Sequence, residues 1–392
     1  MLGDAGALLA ASASAQAGIT IPAGDWTVDI GGNVNAYYTS TSQSGGTVVG
    51  GLGGGTDTVN NITTGLLPNF LSVSGKTRQN DLDIAFTISH NPGAAQSNAA
   101  SGGSATEHRQ AFMTFGDASW GSVKVGKDLG IYASDAILND MTLLGVGAGA
   151  ATVGTTTLGR IGTGFMYADW KSQIAYTSPN WNGFQFTAGV TQSWNALTST
   201  SGGSDLSDGS TERGGNSPAF EAKASYAWTG DVAGKVWASA FSQNVKNVNN
   251  TVNDERASAW DIGANVNVAN FGLTAYYYDG KGVGTTFMLK DGFDTNGKKR
   301  DSNGGYVQAT YVLPTATKLG VSWGKSKLDG NAVDANSALV QENRMWTIGA
   351  YHPLTKSLNL VAEYSDVRSE AQSSAIDDGK SRTVSAGAIL FF

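Results

Sequence analysis

The stretch Ser381-Arg-Thr-Val-Ser-Ala-Gly-Ala-Ile-Leu-Phe-Phe392 ends the chain and alternates between apolar residues and small or polar ones. Successive side chains of an extended strand point to opposite faces. One face therefore carries Val384, Ala386, Ala388, Leu390 and Phe392, and the other carries Thr383, Ser385 and Gly387. An apolar edge strand of this kind recruits other chains unless it is covered. A closed barrel removes the edge by pairing the last strand with the first, so the stretch predicts a barrel.

The composition favours strands over helices. The 392 residues include 53 Gly, 7 Pro and no Cys, and only 15% are charged. Gly, Thr, Ser, Asn and aromatic residues are abundant where Leu, Glu and Lys dominate a helical enzyme. No run of about 18 apolar residues occurs, which argues against a helical membrane protein. The lack of Cys excludes disulfides and thiolate metal sites, and the net charge of −7 argues against nucleic acid as a partner.

Alternation with a period of two recurs along the chain. The clearest segments are residues 28–38, 82–88, 260–268, 307–313 and 358–364, each with apolar side chains at every second position. The positions between them are polar or Gly. A packed sandwich needs apolar residues on its inner faces, so a polar inner face indicates a barrel that encloses water.

Sixteen such segments are separated by alternating short and long connections. The short ones are residues 79–80, 118–121, 179–183, 229–234, 269–272, 314–317 and 353–357. The long ones are at about 42–68, 91–106, 129–168, 196–216, 247–256, 282–302, 329–341 and 368–379. Most segments have about 9–13 residues, enough to cross a bilayer when tilted. The sequence thus predicts an all-β fold, a 16-stranded antiparallel transmembrane β-barrel.

Two features refine this prediction. Aromatic residues concentrate near the short connections, as expected of an interfacial girdle; they are Trp120, Trp181, Phe184, Trp228, Phe271 and Phe392. The third long connection contains 19 uncharged residues, Met141–Gly159, of which five are Gly and five are Thr. Such a segment lacks the pattern of a helix. We expect an inward-folded third long loop that narrows the pore.

At this point the chain resembles the general diffusion porins of Gram-negative bacteria, sixteen-stranded barrels that usually assemble as trimers. The resemblance is specific at Arg109–Phe112, Val125–Lys127, Gly159–Gly162 and Ile174–Pro179. The C-terminus is similar to the family's assembly signal, with Gly387, Leu390 and Phe392 at the matching positions. The resemblance implies a water-filled outer-membrane channel for passive diffusion of ions and small hydrophilic solutes, without a cofactor.

The same resemblance implies a location and partners. Residues 1–17 are small and apolar and end in Ala15-Gln16-Ala17, which resembles the remnant of a secretory signal peptide. Asp4 stands where a basic residue is usual, so the true start site stays open. We expect residues 18–24 to form a periplasmic lead and residues 25–392 to form the barrel. The implied partners are outer-membrane lipids, lipopolysaccharide, the barrel-assembly machinery and two further copies in a homotrimer.

The pore constriction is expected around the third long loop, about residues 129–168. In the family this loop carries carboxylates that face basic residues on the wall. The resemblance assigns Arg109 and Arg160 to the wall, and Asp135 and Asp140 to the loop. The alternation of faces along the strand also places Lys124 on the inner wall. The same alternation leaves the facing of Arg109 open, because its strand is apolar on both faces. Without residues 1–17, which include Asp4, the net charge changes from −7 to −6 and suggests cations. Because acids and bases nearly balance at the constriction, we expect this preference for cations to be weak.

Strand parity also assigns charges to the lumen outside the constriction. Lys76 and Arg78 lie on the other face of the strand from Leu71 and Val73. Asp83 and Asp261 likewise lie on the face of their strands that is opposite to the apolar one. A charge on the lipid face near the middle of the bilayer costs about 2–4 kcal/mol, so these mid-strand charges should face water. Lys127 falls on the outward face of its strand, which suits a contact with another subunit.

Other functions have weaker support. A sugar- or anion-specific channel is the closest alternative, and Tyr276, Tyr278 and Tyr306 are inward candidates for a sugar path. Catalysis would need a site built from His90, His108 or His352, which lie apart in sequence without a catalytic motif. Adhesion through the loops is a third class. Residues 291–297 resemble part of a calcium loop but lack its spacing and terminal Glu, so no metal site is predicted.

Overall fold

The computed structural model describes residues 18–98, 103–149, 151–153, 155–199, 204–205, 217–245 and 254–392. Residues 1–17, predicted to be the signal-peptide remnant, lie outside the described residues. Among the described residues, no helix is long and apolar enough to cross a membrane.

Sixteen long strands form the wall, and we number them in chain order. They are β1 (Trp26–Gly45), β2 (Phe70–Gln79), β3 (Leu82–Asn98), β4 (Ala111–Asp117), β5 (Gly121–Leu129), β6 (Trp170–Thr177), β7 (Phe184–Thr191) and β8 (Ala219–Trp228). The second half comprises β9 (Val232–Val245), β10 (Glu255–Val268), β11 (Phe271–Lys281), β12 (Asp301–Val312), β13 (Lys318–Asp329), β14 (Val340–Pro353), β15 (Leu358–Ala371) and β16 (Gly379–Phe391). Each pairs antiparallel with the next along the chain.

The C-terminal strand closes the barrel as predicted. β16 pairs antiparallel with β1, from Asn33↔Phe391 to Gly45↔Gly379. The backbones of Gly32 and Phe392 exchange hydrogen bonds of 2.9 and 3.1 Å at the end of this seam. Gly387 faces Tyr37 there, and a Cβ on it would lie only 2.2 Å from the Ala36 carbonyl oxygen. A glycine therefore allows the first and last strands to approach closely.

The two faces of the wall follow the predicted alternation. On β16, Val384 and Leu390 are exposed, whereas Thr383 and Ser385 are buried. Exposed and buried side chains alternate in this way along the other strands of the ring. The exposed face is therefore mostly apolar, and the buried face carries most of the polar groups. Five of the six predicted girdle residues near the short turns are exposed, namely Trp120, Trp181, Phe184, Phe271 and Phe392, and the sixth, Trp228, is half-buried.

Shorter elements decorate the ring. The predicted lead contains a strand, Ile19–Ala23, that folds back onto the start of β1. Thr58–Thr63 pairs with β1 and Gly103–Glu107 with β3. Two pairs of two-residue strands lie in loops: Thr152–Val153 with Thr156–Thr157, and Leu197–Thr198 with Ser204–Asp205. A five-residue helix, α1 (Ser134–Leu138), and 3-10 turns at Met141–Leu144 and Ala332–Asp334 complete the described elements.

Candidate pore constriction

The third long loop, residues 130–169, runs between β5 and β6 and packs against the buried face of the wall. The Ala133 N–H donates to Ser239 Oγ on β9 at 3.2 Å. The Met141 N–H donates to Gln308 Oε1 on β12 at 2.7 Å, and the Tyr306 hydroxyl donates to the Ala136 carbonyl at 2.8 Å. These contacts join the loop to strands that lie a quarter (β9) and nearly half (β12) of the way round the ring from β5.

Two buried wall carboxylates hold the two ends of the loop's first half. Glu221 on β8 accepts the backbone N–H groups of Ile131 and Tyr132, both at 2.8 Å, and an ammonium hydrogen bond from Lys171. Glu363 on β15 accepts the N–H groups of Val146 and Gly147, again both at 2.8 Å. Turn N–H groups have no partner within a helix or sheet, so buried carboxylates satisfy them with strong hydrogen bonds.

Asp140 and Arg160 form a fully buried pair within the loop, with Asp140 Oδ1 3.9 Å from Arg160 Nε. Asp140 also begins the 3-10 turn, because it accepts the Thr142 N–H at 3.0 Å and the Thr142 hydroxyl at 2.6 Å. Burial raises the pKa of the Asp140 carboxyl, against the lowering effects of Arg160 and of these hydrogen bonds. Arg160 donates to the Met345 carbonyl at 3.1 Å and to Ser322 Oγ, which ties the loop to β13 and β14.

Asp135 forms a different kind of ionic site, in α1. Its carboxylate lies 3.1 Å from Lys223 Nζ on β8 and 2.5 Å from Lys235 Nζ on β9. The Asp135 side chain is 3% exposed, whereas that of Lys235 is 31% exposed. This site therefore joins a loop acid to wall bases and presents one of the cations to solvent.

Lys124 and Arg109 lie on the wall near the ends of the loop. Lys124 on β5 contacts Asp128 at 2.5 Å, and its side chain is 19% exposed against 5% for Asp128. Arg109 precedes β4, is buried, and donates to Glu107 at 2.7 Å. Its guanidinium lies 5.8 Å from the centre of the Trp170 ring. Arg109 lines a small cavity together with Ile137 and Leu143 of the third long loop, so it lies on the inner side of the wall.

The structure rearranges the predicted constriction. The resemblance assigned Arg160 to the wall, but Arg160 lies in the loop and pairs with the loop's own Asp140, so these two charges do not face each other across a pore. The bases that face Asp135 are Lys223 and Lys235, which the sequence prediction did not name. Strand parity could have found Lys223, because the exposed Phe220 and Tyr226 place it on the opposite, inner face of β8.

The predicted lumenal charges have the inward parity of their strands. Near the short turns, Lys76 lies 3.8 Å from Asp29, and Arg78 lies 2.7 Å from Asp83. These side chains are well exposed, as expected for a wide, solvated end of the barrel. Asp261 on β10 is buried instead and accepts the Ser239 N–H at 2.9 Å and the Tyr276 hydroxyl at 3.1 Å. It therefore orders the wall rather than lining open water.

The candidate sugar path is occupied by the third long loop. Tyr276, Tyr278 and Tyr306 are all buried. The Phe165 ring of the loop lies 5.8 Å from that of Tyr306 and 6.5 Å from that of Tyr276, measured between centroids. These tyrosines face inward as predicted, but they pack the loop onto β11 and β12 instead of presenting a stacking surface to a solute.

Two of the histidines, and the aspartates of the calcium-like stretch 291–297, contact residues close to them in the structure. The rings of His90 and His108, which lie 18 residues apart in sequence, meet with centroids 5.3 Å apart. Asp291 accepts the Ser199 N–H and hydroxyl, both at 2.6 Å. Asp294 accepts the N–H groups of Asn296 and Lys298, both at 2.8 Å. The carboxylates of the calcium-like stretch thus hold loop turns together.

Comparisons with known proteins agree with this architecture. The sequence profile of the Gram-negative porin family matches residues 5–372. The fold is similar to the outer membrane channel DcaP of Acinetobacter baumannii, with a TM-score of 0.71 and 17% identity over 96% of this chain and 100% of that one. It is also similar to Salmonella typhi OmpF in complex with daunomycin, with a TM-score of 0.64 and 16% identity over 95% and 100%.

A third similar structure is an anion-selective porin from Comamonas acidovorans, with a TM-score of 0.63 and 14% identity over 94% of this chain and 100% of that one. A search of curated protein sequences finds no match to this chain. The profile match spans nearly the whole chain, and the sixteen-stranded ring is closed. This chain therefore belongs to the Gram-negative porin family and is an outer-membrane channel for the diffusion of solutes.

Proposed function

We propose that this porin is a general diffusion channel, through which ions and small hydrophilic solutes pass without catalytic turnover and without a cofactor. The observation that carries this proposal is the ionic site at Asp135, where a loop carboxylate meets Lys223 and Lys235 on the inner wall. Charges at a narrow, low-dielectric passage act on permeating ions far more strongly than charges on exposed loops.

We propose a weak preference for anions, the reverse of the expectation from sequence. In two acid–base sites beside the loop the base is the more exposed member: Lys235 at 31% against Asp135 at 3%, and Lys124 at 19% against Asp128 at 5%. Permeating ions respond to the charges they approach in water, since interactions beyond about 8–10 Å are screened at physiological salt. The partial neutralisation by Asp135 and Asp128 keeps the preference weak.

The assembly and location follow the family. We propose a homotrimer embedded in outer-membrane lipids and lipopolysaccharide, inserted by the barrel-assembly machinery through the signal Gly387, Leu390 and Phe392. Residues 1–17 would be removed on export, residues 18–24 would lie on the periplasmic side, and residues 25–392 would form the barrel with a constriction loop at about 129–168.

A substrate-specific channel is the second candidate, because a cavity of about 580 Å³ lies at the long-loop end of the barrel. Its lining includes Gly50–Gly55, Thr285, Thr286, Lys290 and Asp291. Cavities of about 300–1,000 Å³ are typical of small-molecule sites. Occupation of the tyrosine face by Phe165 argues against a stacked sugar path, so a solute held in this cavity would be bound by polar groups.

Conductance of the purified protein in a planar bilayer tests the proposal. We expect stable, ohmic steps in KCl and no block by micromolar sugars or organic anions. Block at micromolar concentration would establish the substrate-specific alternative. Absence of conductance from a correctly folded, heat-modifiable trimer would overturn the channel proposal and leave adhesion or catalysis.

A further inference from the structure

Two histidines lie opposite each other at the base of the second long connection. His90 belongs to β3, and His108 lies between the short strand Gly103–Glu107 and β4. Asn91 pairs with Glu107 one residue beyond them, which places the two histidines at facing positions. The Cβ atoms of facing residues lie about 4.5–5.5 Å apart. The two imidazoles are therefore neighbours, with ring centres 5.3 Å apart. We call them the histidine pair.

The backbone that carries the histidine pair is held by its neighbours. The Ser89 N–H donates to the Gln110 carbonyl at 3.0 Å, and the Gln110 N–H donates to Ser89 Oγ at 3.1 Å. The ammonium of Lys127, on β5, donates to the His108 carbonyl at 2.8 Å. The positions of the two imidazoles are thus set before a ligand arrives, which lowers the entropy cost of binding.

The histidine pair is open to solvent. Both side chains are exposed, and His90 has the outward facing of Ile88, which is 57% exposed. The Thr106 hydroxyl oxygen lies 3.4 Å from His90 Nδ1 and 3.3 Å from Nε2. An oxygen at nearly equal distances from both nitrogens lies on neither lone-pair axis, because the two axes diverge, and such long contacts are weak hydrogen bonds. His90 can therefore offer a nitrogen lone pair to a metal ion.

We propose that the histidine pair binds a divalent transition-metal ion such as Cu²⁺, Ni²⁺ or Zn²⁺, through one nitrogen of each ring. Imidazole suits these metals, whereas Mg²⁺ and Ca²⁺ prefer oxygen ligands. Two imidazoles that bind one ion at about 2.0–2.1 Å, in adjacent positions, have ring centres about 5 Å apart. Among the described residues, no group of three or more His, Cys, Asp or Glu side chains could hold a metal ion, so water completes the coordination.

A bound ion would clamp the base of the second long connection, because it would join β3 to the segment that precedes β4. An ion that binds only the folded arrangement stabilises it. The Lys127 ammonium lies beside the site and opposes a cation, which limits the affinity. We expect hydrogen exchange at residues 103–110 to slow when the ion is added.

Calorimetric titration of the detergent-solubilised protein with Cu²⁺ tests this inference. His90→Gln and His108→Gln should each weaken binding at least tenfold, because the second imidazole no longer binds the same ion intramolecularly. The matched control is His352→Gln. His352 lies near a short turn, with its Nδ1 2.9 Å from Thr317 Oγ1, so this variant should bind as the wild type does. A tenfold excess of Mg²⁺ should not compete, because Mg²⁺ prefers oxygen ligands.

Electron paramagnetic resonance of the Cu²⁺-loaded wild type gives a second measurement, which does not depend on the folding of any variant. We expect hyperfine splitting from two nitrogen ligands. A spectrum with fewer than two nitrogens would overturn the inference, as would equal Cu²⁺ affinity in the wild type and in His90→Gln/His108→Gln. Competition by Mg²⁺ would also overturn it. Binding is measured without a bilayer, so these results are independent of whether the protein conducts.

Discussion

Asp135 and Asp140 lie five residues apart in the third long loop, yet their ionic sites differ in kind. Asp135 meets bases on the wall, and its partner Lys235 is 31% exposed. Asp140 meets Arg160 of the same loop, and both side chains are fully buried. A loop carboxylate can therefore influence permeating ions only where its ionic site reaches water. A pair sealed inside the loop contributes to the loop's shape.

The chemistry of the buried pair supports this distinction. Burial lowers the pKa of the Arg160 guanidinium and raises that of the Asp140 carboxyl, and the attraction between the two groups opposes both changes. Breaking a buried pair by removing one partner leaves an uncompensated charge, whereas removing both can be nearly neutral. The two sites can therefore be separated by mutation.

The largest expected effect comes from breaking the buried pair. Asp140→Asn or Arg160→Met alone should lower the free energy of unfolding by about 3–5 kcal/mol, because each leaves the remaining charge without its partner. Tryptophan fluorescence during urea unfolding in detergent measures this change. The double variant Asp140→Asn/Arg160→Met should recover much of the loss. Lys281 forms an exposed pair with Asp301, at 3.7 Å, so Lys281→Gln should change stability by less than about 1 kcal/mol.

If Asp140→Asn leaves stability unchanged and shifts the reversal potential instead, the comparison fails. Asp140 would then act on ions in the pore, as the resemblance implied.

Substitutions at the Asp135 site, which reaches water, should have a smaller effect, and the property that they change is ion selectivity. Asp135→Asn should move the reversal potential in a KCl gradient toward anions, and Lys235→Gln should move it toward cations. We expect each to change the permeability ratio about two- to threefold, because a few charges dominate the field of a narrow passage. Planar-bilayer recordings measure the ratio, with the outward-facing Lys281→Gln as control. Unchanged reversal potentials in both variants would remove this site from the ion path.

A third ion pair, between two long loops, extends the comparison to pH. Arg300 donates to both Asp334 oxygens, at 2.7 and 2.8 Å. Burial acts to raise the pKa of Asp334, but hydrogen bonds from Arg300 and the Asn331 N–H outweigh it and leave the pKa below its ordinary value. The stabilisation is therefore complete above the unfolded-state pKa of about 3.9 and is lost as pH falls through the lower folded value.

Asp334→Asn should accordingly destabilise the long loops at pH 7 by about 1–3 kcal/mol, and the difference from wild type should shrink as pH falls below about 4. Hydrogen exchange of residues 282–300, compared across pH, measures this. A difference that stays constant down to pH 2 would show that the carboxylate's charge is not what holds the loops together.

Sequence periodicity predicted the wall of this protein well. The alternation at Val384–Phe392 implied the closing seam, and the seam forms between β16 and β1 with the predicted apolar side chains outward. The short turns and long loops predicted sixteen strands because each reversal of a β-barrel leaves Gly, Pro or polar residues between alternating segments. The side of the wall on which most side chains lie was predictable for the same reason, since a one-residue shift in strand register would place polar side chains in lipid.

The partners of the constriction charges were not predictable in this way. Asp135 meets Lys235 across 100 residues of sequence, and Glu363 reaches Val146 across 217. The loop 130–169 has no sequence repeat from which its contacts with the wall could be predicted. The assignment of Arg160 to the wall therefore rested on a short stretch of resemblance.

The strand number, the closure and the facing of most strands follow from the sequence, because they depend on a local repeat that either suits a bilayer or does not. Which charges meet, and which of them reach water, depends on the folded structure. Ion pairing depends on distances of a few ångströms between groups far apart along the chain, and burial depends on everything packed around them.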